Sequence, residues 1–134
     1  MASIFTKIIK GEIPSYKVAE DENYYAFLDI NPLTKGHTLV IPKKEVDYLF
    51  DLDEETYEGL FRFARKVGAA IEKHIPCKRL GLVAYGLDVP HVHLHLIPLH
   101  GVGNEINFSK DKVKLSEEEF KSIAGAIHQK FTEI

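Results

Sequence analysis

The sequence is short of several things, and each shortage narrows the reading. It has one cysteine, Cys77, among 134 residues. No intrachain disulfide can form, a usage that fits a reducing compartment. It has no apolar run near the ~20 residues that a membrane helix needs. It has no surplus of positive charge: 17 Lys and Arg stand against 20 Asp and Glu, for a net charge of -3. That argues against a nucleic-acid partner, whose phosphates call for a basic face. A small phosphorylated ligand stays open, because a few backbone N–H groups can hold one anion. The stretch from Met1 to Gly11 lacks the apolar centre of a signal peptide. Linkers, internal repeats and low-complexity tracts are missing too. The expectation is one cytoplasmic domain over 1–134, with no membrane partner.

What is present reads as alternating short elements. Ile4, Phe5, Ile8 and Ile9 have helical spacing, and Gly11 and Pro14 end them. Strands are expected at Tyr16 to Glu20, Tyr24 to Ile30 and His37 to Ile41, separated by the turn residues Asp21-Glu22-Asn23 and Asn31-Pro32. From Glu54 to about His74, Tyr57, Leu60, Phe61, Ala64, Val67 and Ile71 recur at three- and four-residue steps, so one long amphipathic helix is expected. Asp51 or Asp53 could cap it. Two more strands are expected at Arg79 to Tyr85 and His91 to Leu96. Ser116 and Glu119 form a capping-box pattern that opens a C-terminal helix. The fold class expected is α+β: about five antiparallel strands with the long helix packed on them, a short N-terminal helix and a C-terminal helix.

The richest segment is His91-Val92-His93-Leu94-His95-Leu96. On an extended chain successive side chains alternate between faces, so the three histidines line up on one side and the apolar residues on the other. Three readings follow from the bare pattern. It is a polar strand face, a metal site built from imidazoles, or a nucleophile with acid–base partners held in chosen tautomers.

Four blocks carry a resemblance that bears on this choice. His91 to Ile97 matches the pattern His-Φ-His-Φ-His-Φ-Φ, with Φ apolar. Upstream of it lie Gly36-His37-Thr38-Leu39-Val40-Ile41-Pro42, Ala26-Phe27-Leu28-Asp29-Ile30-Asn31-Pro32, and Ile4-Phe5-Thr6-Lys7-Ile8-Ile9 followed by Glu12-Ile13-Pro14. In this order, across about 3–98, they resemble the histidine triad (HIT) family, in its nucleoside phosphoramidase and dinucleoside polyphosphate hydrolase branch. The tail with its helix, 99–134, lies outside the resemblance. The resemblance implies that His93 attacks the α-phosphorus of a purine nucleotide and forms a nucleotidyl-histidine. His37, His91 and His95 would orient it and donate to phosphate oxygens. Asp29 would hold the ribose, although the residue also suits a turn. Ile4, Phe5, Ile8, Phe27, Leu28 and Ile30 would form the base cleft. It implies no cofactor, and a homodimer involving the Glu54 to His74 helix.

Departures from the family pattern are as informative. Many relatives have an N-terminal Cys-x-x-Cys pair that helps bind a structural zinc; Ser3 and Thr6 stand here. Relatives have an asparagine where Ala84 stands and a glutamine where Leu87 stands. Asp88 replaces a hydroxyl residue, and its charge faces an anionic substrate. His95 is retained, whereas the nucleotidyl transferase branch has glutamine, which favours hydrolysis. A non-catalytic nucleotide-binding module and a metal-binding protein are the competing functions. His74, His100 and His128 are expected at the surface, and the Cys77 thiol as packing. The His93 ring is expected in an open cleft.

Overall fold

A computed structural model describes residues 2–134. The order of elements is α1 (Ile4–Ile9), β1 (Lys17–Glu20), β2 (Tyr24–Leu28), β3 (Thr38–Pro42), a single 3-10 turn (Leu49–Asp51), α2 (Glu54–His74), β4 (Arg79–Val83), β5 (Leu94–Leu99) and α3 (Glu117–Thr132). The five strands form one sheet in the order β1-β2-β3-β5-β4, and every neighbouring pair is antiparallel. The expected α+β class is observed.

Local chemistry explains the helix ends. Ser3 caps α1 by accepting from the Thr6 amide, Asp53 caps α2 through the Thr56 amide, and Ser116 and Glu119 close a reciprocal capping box on α3. Asp53, not Asp51, is therefore the cap of the long helix. Gly11 follows α1 at a φ of +78°, the left-handed conformation that glycine adopts without strain.

The sheet has two unlike faces. One carries Val18, Ala26, Leu28, Val40, Leu94 and Leu96, and is covered by Leu60, Val67 and Ile71 of α2 and Phe120, Ile123 and Ile127 of α3. This is the main core. The other face carries Tyr25, Phe27, Leu39 and Ile41, covered by Phe5 of α1. Strand alternation assigns the side chains, because residues two apart share a face. His37 therefore precedes Leu39 and Ile41 on the α1 side, and His95, paired with Leu39, lies there with it. Among the described residues no helix is long and apolar enough to cross a membrane.

The strand that carries the histidines departs most from its expected span. The sheet ladder of β5 begins at Leu94, not His91. Pro42, at the end of β3, gives its carbonyl to the His91 ring at 2.8 Å instead of to a neighbouring strand. The Val92 amide goes to the Val46 carbonyl at 2.7 Å. His91 and His93 thus sit on an extended approach to the strand. The alternation survives, since Val92 joins Leu94 and Leu96 in the main core.

Candidate active site

Four imidazoles meet on the α1 side, and hydrogen bonds assign the tautomer of each. A carbonyl only accepts, so the partner of a carbonyl must carry the proton. His91 Nε2–H donates to the Pro42 carbonyl, which leaves its Nδ1 to accept from Ser3 Oγ at 2.8 Å. His93 Nδ1–H donates to the His91 carbonyl at 2.8 Å. Its Nε2 therefore presents a lone pair when the ring is neutral.

The other two rings form a relay. The Leu33 amide donates to His37 Nδ1 at 3.0 Å. His37 Nε2 must then hold the proton and donate to His95 Nδ1 at 2.9 Å. That leaves His95 Nε2 protonated and free to donate. The buried side-chain nitrogens without a hydrogen-bond partner among the described residues are His93 Nε2 and His95 Nε2. One is a lone pair and the other an N–H. Their rings lie 5.0 Å apart at 61°. A nucleophile beside a donor is what attack on a phosphoryl group requires. His91 and His37 have no ring nitrogen left over, so they can orient their neighbours but offer nothing to a phosphate.

Burial controls protonation. Desolvation holds His37 down to about 3, helped by repulsion from His95, Lys110 and Lys112. Desolvation, then the neighbouring His93, brings His95 down to about 4, against the opposing pull of Asp88. Desolvation also lowers His91. All three rings are neutral at pH 7, and the relay's tautomers are well defined. The Asp29 carboxylate lies 3.6 Å from His37 Nε2, but a neutral His37 makes this a polar contact, not an ion pair. Burial raises Asp29 above the ordinary carboxylate range.

Every residue expected to hold the nucleotide borders one cavity of about 260 Å3, together with His95: Ile4, Phe5, Ile8, Phe27, Leu28, Asp29, Ile30 and Asp88. They differ in kind. Phe5 is buried edge-on to His93, with ring centres 4.9 Å apart, and to Phe27 at 5.5 Å. Ile4 and Ile30 are exposed at the rim. Leu28 edges the cavity, but its side chain belongs to the main core. Asp29 Oδ1 accepts from the Asn31 amide at 2.8 Å, so the turn role of this residue is present as well, and Oδ2 is the atom left for a ligand.

The cleft is not open as expected. His93 is 3% exposed, packed edge-on against Phe5 and His95. Asp88 Oδ1 sits 3.2 Å from His93 Nε2, without the alignment of a hydrogen bond. This half-exposed carboxylate stands over that nitrogen.

Three contributors escaped sequence reasoning. Glu45 accepts from the Ser3 amide at 2.7 Å and from Thr6 Oγ1 at 2.5 Å, and these bonds pull its carboxyl down to about 2. This ties α1 to the loop after β3. Phe108, from the tail, lies edge-on to His95 at 4.9 Å and stacks on Tyr85 at 5.1 Å. The Leu33 amide is the third. Only the helical cap pattern at Ser3 could have been read locally; the rest are long-range contacts. His74, His100 and His128 are exposed as expected, although His128 Nδ1 also donates to the Val18 carbonyl.

A structural zinc at the N-terminus does not fit here. Ser3 Oγ occupies His91 Nδ1, and hydroxyls replace the thiolates. A carboxylate and two imidazoles, Asp88, His93 and His95, do lie within 4.8 Å of one another. Ligation through His95 Nε2 would need its proton moved to Nδ1. That would turn His37 round and set its Nδ1–H against the Leu33 N–H, so the relay opposes a metal there.

A five-stranded antiparallel sheet that gathers four histidine rings beside an apolar cavity defines the class, a small α+β protein with a buried histidine cluster. The HIT domain model matches residues 10–102, and the chain belongs to the HIT family. The adenosine 5'-monophosphoramidase hnt1 of Schizosaccharomyces pombe is 36% identical over 132 residues, covering 97% of this chain and 98% of the relative. A hypothetical histidine triad nucleotide-binding protein from Sulfolobus tokodaii superposes with a TM-score of 0.86 at 28% identity, covering 97% of this chain and 92% of that one. A zinc-bound histidine triad family protein from Mycobacterium smegmatis superposes with a TM-score of 0.82 at 28% identity, covering 100% and 99%. The monophosphoramidase among them agrees with the hydrolase class that the sequence points to.

Proposed function

We propose that the protein is a nucleotide hydrolase that releases a nucleoside monophosphate from nucleoside phosphoramidates or dinucleoside polyphosphates. The observation that carries this reading is the His93 ring, whose Nδ1 proton is fixed on the His91 carbonyl so that a buried, unpartnered Nε2 points at Asp88 on the edge of the cavity. His93 Nε2 bonds to the α-phosphorus, the leaving group departs, and water then cleaves the phosphorus–nitrogen bond of the nucleotidyl-histidine. Splitting one displacement into two lowers the barrier of each. His95 Nε2–H donates to a phosphoryl oxygen, and His37 and the Leu33 amide hold that donor in place. Asp29 Oδ2 accepts from ribose hydroxyls, while Phe5, Phe27, Ile4, Ile8 and Ile30 receive the purine.

The Schizosaccharomyces pombe monophosphoramidase supports the hydrolase class, since it is 36% identical over 97% of this chain. The experiment is release of AMP from an adenosine phosphoramidate and from a diadenosine polyphosphate. His93→Asn should lower turnover by at least ~10^3-fold, as removal of a covalent nucleophile does elsewhere. Full activity in that variant, or no release by the unaltered protein, would remove the reading.

Asp88 over the nucleophile favours one competitor, a binding module without turnover. It predicts AMP binding and no catalysis in the same assay. A cytoplasmic homodimer involving α2 completes the proposal. The edge strand β4 exposes Leu82, and Tyr48, Phe50, Tyr85 and Leu87 are exposed too, apolar area that a two-fold partner could cover. A monomer mass independent of concentration in sedimentation would refute the dimer.

A further inference from the structure

We propose that Asp88 makes this enzyme selective for leaving groups that depart as amines and sets it against anionic phosphate leaving groups. The inference rests on His93 being the nucleophile. The nucleotide cavity is bordered by two carboxylates, Asp29 and Asp88, and by no lysine or arginine. His95 borders this cavity, and His93 reaches its edge through Asp88: one ligand atom from each of Asp88, His93 and His95 lies within 4.8 Å of the others. The nearby Lys112 ammonium is already bound to the Phe108 and Lys110 carbonyls, at 2.6 and 2.7 Å. The field at the reacting atoms is therefore negative on the Asp88 side.

Asp88 stands over the attacking nitrogen, and a half-exposed side chain can turn from there toward the leaving group. Its Oδ1, 3.2 Å from His93 Nε2, stands where phosphorus must come. Its side chain is 51% exposed and makes no hydrogen bond among the described residues. Substrate entry turns it outward, away from Nε2. In-line displacement puts the leaving atom on the side of phosphorus opposite Nε2, so the carboxylate moves alongside that atom.

The two leaving groups differ in the charge they develop. A phosphoramidate nitrogen takes a proton from solvent and becomes cationic. The His93 Nε2 electron pair then forms the new bond to phosphorus. The old phosphorus–nitrogen pair stays with nitrogen, which leaves as a neutral amine. A carboxylate beside that cationic nitrogen stabilises it. A departing phosphate or polyphosphate instead gains negative charge as its bond to phosphorus breaks, and the same carboxylate repels it. A unit charge a few ångströms away in a partly wet site changes such a ratio by roughly tenfold or more.

The test compares kcat/KM for an adenosine phosphoramidate of a simple alkylamine with that for diadenosine tetraphosphate. The unaltered protein is measured beside Asp88→Asn and Asp88→Ser. Because Asp88 is half-exposed and unbonded, both variants should fold, and calorimetric AMP binding checks each. The expected result is a preference for the phosphoramidate that shrinks at least ~10-fold in both variants, with the tetraphosphate rate rising as the phosphoramidate rate falls. An unchanged ratio, an equal loss on both substrates, or a tetraphosphate preference in the unaltered protein overturns the role of Asp88 and leaves the nucleophile standing. Absence of turnover on either substrate overturns both.

Discussion

The two faces of the sheet solve opposite problems. On the helix side, buried apolar residues of β1, β2, β3 and β5 interlock with α2 and α3. Buried side chains such as Val67, Leu60 and Ile71 have no exposed surface at all. On the α1 side the apolar cluster is small, and the space beside it holds four buried histidines. Two of their nitrogens find no partner among the described residues. An unmade hydrogen bond in a dry site is destabilising by about 1–3 kcal/mol. The helix side supplies the stability that the α1 side gives up to keep two reactive atoms unsatisfied, a division expected where function strains a fold.

Substitutions can break this contrast. Ile71→Ala, in the helix-side core, should cost about 2–5 kcal/mol of stability through the cavity it leaves. Turnover per folded molecule should hold. Denaturant melts beside active-site titration check both, and a large loss of turnover in the folded fraction would erase the division of labour.

Acid should weaken the α1 side first. His37 and His95 titrate near 3 and 4 in the folded protein, against an ordinary 6.5. Between about pH 6.5 and 4 the unfolded chain binds protons that the folded chain refuses. Stability therefore falls as pH falls through that window, by up to about 1.4 kcal/mol per pH unit for each ring. His95→Asn should flatten the slope measured by urea melts across this range. A slope that does not respond would mean that other groups carry it.

Smaller effects sharpen the boundary. Ser3→Ala removes the α1 cap and the partner of His91 Nδ1, and should cost about 1–2 kcal/mol with a raised KM. His93→Asn should change stability by less than ~1 kcal/mol, because the Asn amide can keep the bond to the His91 carbonyl and His93 Nε2 has no partner among the described residues. Melting temperatures test both. A large destabilisation by His93→Asn would make that ring structural.

Much of this was legible in the sequence. The α2 helix runs from Glu54 to His74 as its periodicity requires, and the Ser116–Glu119 box forms as its spacing requires. Strand ends shift by one to three residues. Tyr24–Leu28 stops before Ile30 because Asp29 turns the chain onto the Asn31 amide. The histidine segment joins its ladder late because a ring replaces a strand as the partner of Pro42. Alternation predicted which way His91, His93 and His95 point. It could not predict that Glu45, Leu33 and Phe108 close around them, since those contacts join residues far apart in the chain and have no local pattern. The adverse charge of Asp88 was readable; its position over His93 was not.

The relay that orients His95 starts from a peptide group. Side chains at position 33 can change without touching that N–H, and Leu33 itself is only packing. Proline alone would delete it. The handedness of the proton line from residue 33 through His37 to His95 is thus inherited from the path of the main chain, which ordinary sequence drift cannot edit.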